Sequence, residues 1–104
     1  MNRMSKEAKL RALLEKEPND GFLNFGLAME LAKQERWDES FAQFDRLIAV
    51  DPDYVGAYFH KGKTLASVGR TDDARVELRR GIEKAGEVGD FHARGEMEEY
   101  LAGL

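Results

Sequence analysis

The chain holds two histidines, and each stands near groups that could give it chemistry. His92 and Glu96 are one helical turn apart with Asp90 just upstream, a trio that could in principle hold a divalent ion. His60 could in principle act as a base. Plainer readings compete with both: the trio reads as the solvated surface of a terminal helix, and His60 as a packing or groove residue. The paired acids Asp38-Glu39 and Asp72-Asp73 recur at helix starts, where the helix macrodipole favours negative charge, so their recurrence argues for structure. Arg75, Arg79 and Arg80 form a basic strip interleaved with Glu77 and Glu83, which reads as a solvated face. No serine sits in a nucleophile-elbow context and no glycine-rich phosphate loop occurs. The absence of cysteine removes disulfides, thiolate metal sites and a cysteine nucleophile together. The expectation is a protein without cofactor, metal or catalytic centre.

Composition narrows the partners. A chain of 104 residues with 42% hydrophobic and 35% charged residues has the length and balance of one soluble domain. A formal charge of −4 gives no general attraction for phosphate backbones, so nucleic acid would require a local basic patch. Neither a continuous apolar span nor a secretory segment follows "MNRMSKEAK", which points away from a membrane and towards the cytoplasm.

The elements that would position any site come from a repeat. Set against each other at an offset of 34 residues, Gly21–Tyr54 and Val55–Val88 align Phe25 with Phe59, Leu31 with Leu65, Ala32 with Ala66 and Arg36 with Arg70. Asp38 aligns with Asp72, Arg46 with Arg80 and Ile48 with Ile82. Other pairs keep their physical role: Ala28 with Gly62 and Ser40 with Ala74 stay small, while Phe44 with Leu78 stays large. The same offset carries Pro52 back to Pro18. Within each copy the apolar residues step by three and four, as in Phe41, Phe44, Leu47 and Ile48, and no stretch alternates like a strand. Pro18 and Pro52 would separate helices, and Thr71 would cap one. Six helices are predicted, near 5–16, 20–34, 37–49, 54–68, 71–84 and 90–103. In the last, Ala93, Met97, Tyr100, Leu101 and Leu104 define the apolar stripe, with Glu96, Glu98 and Glu99 on its polar side.

A helix pair every 34 residues resembles the tetratricopeptide repeat (TPR) family. Asn24, Leu27-Ala28, Leu31, Ser40, Phe44 and Pro52 stand in the pattern's places in the first copy; Tyr58, Lys61-Gly62, Leu65, Ala74, Leu78 and Gly86 do so in the second. Asn24, Lys61 and Gly86 depart from it. The resemblance implies an all-α fold of stacked antiparallel helix pairs, a right-handed α-solenoid. It divides a single domain, 1–104, into a half repeat at 5–18, repeats at 21–54 and 55–88, and a closing helix at 89–104.

It also implies a function. The family's common ligand site is a concave face lined by the first helix of each pair, and the matching positions here are Phe22, Phe25, Met29 and Lys33, then Phe59, Lys63 and Ser67. A peptide or protein partner is the expected ligand, bound by apolar contact and oriented by the two lysines. Phe25 and Met29 could equally be buried for packing alone, whereas Phe22 and Lys33, nearer the helix ends, are expected to be exposed. Some family members clamp a terminal carboxylate with Lys, Asn and Arg; Phe25, Met29 and His60 occupy those places here, so that activity does not carry over. Two rival readings are a self-association unit, through Leu10, Leu13 and Leu14 of the first helix as a weak homodimer, and an enzyme or metal protein built on His60 or His92.

Overall fold

A computed structural model describes residues 4–104. Among these residues there are six helices and no strand: α1 (Lys6–Lys16), α2 (Gly21–Lys33), α3 (Trp37–Val50), α4 (Val55–Ser67), α5 (Thr71–Val88) and α6 (Phe91–Ala102). The chain has an all-α helical-repeat fold. It divides into two compact units, the first ending at Asp51 and the second beginning at Pro52.

In the first unit, α1 begins where the Ser5 hydroxyl accepts the Ala8 amide at 3.0 Å, and α2 where Asp20 accepts the Leu23 amide at 2.8 Å. Each cap satisfies an amide that the helix itself leaves unpaired. Lys16 and Lys33 lie in the last turns of α1 and α2, where the dipole favours a cation. Helix α1 packs on α2, with Leu10 resting over Gly26, and α2 packs along α3. The α2–α3 contact is tight: Ala28, Ser40 and Phe44 are fully buried, and the Ser40 hydroxyl donates to the Ala28 carbonyl at 2.8 Å.

The second unit repeats this contact with other side chains. A Cβ added at Gly62 of α4 would stand 2.8 Å from Leu78 Cγ of α5, so only glycine lets these helices approach so closely. The turns correspond as well. Glu35 and Gly69, 34 residues apart, both take left-handed backbone (φ 58° and 85°), after which the amides of Arg36 and Arg70 bond back to the carbonyls of Leu31 and Leu65. Neither α3 nor α5 has a side-chain cap: Thr71 is the first residue of α5, not its cap, and Arg70 instead pairs with Asp73 at 3.0 Å, as Arg36 does with Glu39 at 2.7 Å.

Helix α5 runs one turn beyond the expected end near residue 84. Its copy α3 stops before Pro52, but the aligned residue in α5 is Gly86, which keeps its amide and lets the helix continue to Val88. Gly89, at φ 78°, then ends it, and the Asp90 amide bonds the Ala85 carbonyl at 2.9 Å. Asp90 in turn caps α6 by accepting the Ala93 amide at 3.1 Å. Met97 of α6 is fully buried with Val55, Leu78 and Ala85, and Ala93, Tyr100, Leu101 and Leu104 pack against that cluster, which is the stripe read from the sequence.

Gly81 is where α4, α5 and α6 meet. A Cβ there would stand 2.7 Å from Tyr58 Cβ and 2.6 Å from Met97 Sδ. Gly81→Ala is therefore expected to lower the melting temperature, because overpacking of roughly 1–3 kcal/mol outweighs the gain in helix propensity. Gly95, in open space on α6, supplies the control: Gly95→Ala is expected to stabilise by up to about 1 kcal/mol. The opposite order of the two melting temperatures would refute the packing. Phe44→Ala, at a position with no exposure, is expected to cost roughly 3–5 kcal/mol in chemical denaturation.

Candidate functional site

The predicted site residues fall on one face of α2 and one face of α4. On α2, Phe22 is 74% exposed and Lys33 is exposed, as their places near the helix ends suggested. Phe25 and Met29 are half-buried, and the Phe25 ring stands edge-on to Phe44 with centroids 6.3 Å apart. Phe25 thus serves the core with one side and the surface with the other.

On α4, the structure brings Phe59 and Lys63 together. The Lys63 ammonium lies 4.3 Å from the centre of the Phe59 ring, a cation–π contact along one turn of helix. Phe59 packs against the Val55, Leu78, Ala85 and Met97 cluster and meets Tyr100 edge-on at 6.0 Å. Ser67 is exposed, but its hydroxyl donates to the Thr64 carbonyl at 2.7 Å. Its proton is thus engaged within the helix, while its lone pairs face solvent.

The histidines take ordinary places. His60 is half-buried, and burial first, then the Lys63 charge, hold its imidazole below the usual histidine range. Its backbone carbonyl accepts the Thr64 hydroxyl at 2.7 Å. His92 Nε2 lies 3.0 Å from Glu96 Oε1, but Asp90 is engaged in capping, and no group of three metal-ligating side chains occurs among the described residues.

One reading from the basic strip on α5 needs correction. Glu77 is not on a solvated face: it is 4% exposed, and its carboxylate pairs with Lys61 at 3.3 Å and Arg80 at 3.0 Å. The steps from Ala74 to Glu77, Gly81 and Ala85 place it on the buried side of α5, a spacing that was present in the sequence. Arg75 is not free either, since it pairs with Asp72 at 2.8 Å and donates to the Leu104 carbonyl at 2.9 Å.

Among the described residues no helix is long and apolar enough to cross a membrane. No protein-family model and no curated protein matches the chain. Solved structures do. A tetratricopeptide repeat domain protein from Salinibacter ruber, solved by NMR, is 38% identical over 82% of this chain and 86% of that one, with a TM-score of 0.76. A Bordetella parapertussis protein is 26% identical over 96% of this chain and 87% of that one, with a TM-score of 0.82. The TPR2B domain of yeast Sti1, solved as a complex with pHsp70, shares the fold at 24% identity and a TM-score of 0.83, over 93% of this chain and 79% of that one.

Proposed function

The chain belongs to the tetratricopeptide repeat family, and from that premise we propose a non-enzymatic interaction module of the cytoplasm that binds a segment of a partner protein. We read it as a half repeat at 5–18, repeats at 21–54 and 55–88, and a closing helix at 89–104. The contact residues would be Phe22, Phe25, Met29 and Lys33 on α2, and Phe59, Lys63 and Ser67 on α4. The observation that carries this reading is Phe22, a large aromatic residue left 74% exposed on the same helix face as exposed Lys33. An aromatic ring in solvent adds little to the core, yet desolvating it against a partner is favourable. The yeast Sti1 domain, in complex with pHsp70, supports the choice of a protein ligand for this fold.

A segment combining apolar side chains with acidic groups suits these faces, the rings supplying contact and Lys33 and Lys63 the orientation. The test is the double substitution Lys33→Glu with Lys63→Glu, measured against a partner recovered from the source organism. Binding is expected to weaken, and its dependence on salt to shrink. Folding should move little: Lys33 is exposed, and the Lys63 contact with Phe59 is worth about 0.5–1 kcal/mol. A partner that binds the double variant as tightly as the parent, at low and high salt, would remove both faces from consideration.

A second reading has its own observation. On α1, Leu10 and Leu14 are half-buried, but Leu13 is 51% exposed, and such an apolar residue could pair two copies weakly. Sedimentation velocity should then show a rising sedimentation coefficient with concentration, abolished by Leu13→Glu. A single monomeric species at high micromolar concentration would reject it.

A further inference from the structure

We propose that the cleft between α4 and α6 in the second unit receives an arginine side chain of the partner. The proposal rests on the reading of α4 as a partner-facing helix, since Phe59 belongs to both. Phe59, Tyr100, Glu96 and Glu99 line this cleft, an open depression of about 320 Å³. Its two aromatic rings meet at 72° and are held from behind by the Val55, Leu78, Ala85 and Met97 cluster, so they form a fixed corner. Its rim carries the two carboxylates.

The glutamates of α6 are not equivalent. Glu98 is paired with Arg94 at 3.0 Å, whereas the Glu99 carboxylate makes no ion pair or hydrogen bond among the described residues. Glu96 shares one oxygen with His92 and keeps the other. Two carboxylates with spare acceptors beside two aromatic rings attract a cation by two routes at once, and the chain's net charge of −4 favours its approach. Among cations, guanidinium fits best: its plane can stack on a ring while its edge gives a paired hydrogen bond to a carboxylate, and it sheds water more readily than ammonium does.

Phe59 already holds a cation. Lys63 Nζ, 4.3 Å above the ring, demonstrates that the ring face serves as a cation platform, and it also competes with any second positive charge. Removing that competitor while keeping an apolar stem should therefore improve arginine binding. The same lysine thus has opposite effects on acidic and basic portions of a partner.

The probe is the peptide acetyl-Ala-Arg-Leu-Ala-amide, titrated into the whole chain and followed by amide NMR shifts, with a citrulline peptide as its uncharged isostere. Saturable shifts are expected around Phe59 and over Glu96 to Tyr100, several-fold weaker binding by the citrulline peptide, and a similar loss in the Glu96→Gln, Glu99→Gln double variant. Lys63→Met is expected to tighten binding. Both acids are exposed, so unchanged circular dichroism in the double variant would establish that folding is intact. Equal binding of the two peptides, shifts elsewhere, or an unaffected double variant would overturn the cleft. If the arginine peptide fails while the natural partner still depends on Lys33 and Lys63, the cleft falls and the interaction module stands. If the peptide binds as expected while the partner ignores both lysines, the cleft stands and the acidic-partner reading falls.

Discussion

Close approach of the two helices in each pair is the constraint on which the rest of the structure depends. Ala28 and Gly62 leave a hollow on the first helix, and Phe44 and Leu78, both without exposure, occupy the facing positions on the second. A helix pair of this length has little apolar area of its own, so its stability comes from burying a few large side chains completely. The tightness at Gly62 also fixes the faces that remain outside. Once Leu78 is seated, the turn of α4 that carries Phe59 and Lys63 has no freedom to rotate.

Departures from the repeat pattern are compensated in pairs. Asn24 stands where the second copy has Tyr58, yet Asn24 Nδ2 donates to the Pro18 carbonyl at 3.1 Å just as the Tyr58 hydroxyl donates to the Pro52 carbonyl at 2.8 Å. The two side chains differ greatly in volume, and the difference is returned one helix later: Leu47, fully buried, follows the small Asn24, while Gly81 follows the large Tyr58. Charge is exchanged in the same way. Lys61 replaces Leu27, and Glu77 replaces Gln43, so the second unit holds a part-buried ion pair where the first holds a leucine and a glutamine bonded to Asn24. Such a pair adds little net stability compared with apolar packing, but it sets a charge of α4 opposite a charge of α5, so a shift of α4 along α5 would part them.

Much of the fold was legible because it is periodic. The offset of 34 located the helix pairs, the small positions and both prolines, and the stripe on α6 emerged from spacing alone. What stayed hidden involved two positions at once. Gly81 is unremarkable until Tyr58 and Met97 are seen against it, and although spacing put Glu77 on the buried side of α5, its pairing with Lys61 across the helix pair could not be read from it. The extension of α5 was readable in retrospect, since Gly86 lacks the property by which Pro52 stops α3.

The candidate site was legible to a smaller degree, for a physical reason. Core positions are set by volume, which recurs in each copy, whereas surface positions need only remain soluble, so the repeat constrains them weakly. Periodicity placed Phe22 and Lys33 on a helix face, and their place near the helix ends suggested the exposure that they have. It could not indicate that Lys63 would lie over Phe59, because a lysine at that spacing can extend into water equally well. Nor could it bring Tyr100 to Phe59, since α6 keeps no residue of α4 at the offset of 34. The aromatic corner arises because Met97 anchors α6 beside Gly81, which leaves Tyr100, three residues on, at the level of Phe59. The glycine that admits Met97 to the core therefore also decides which ring stands beside Phe59.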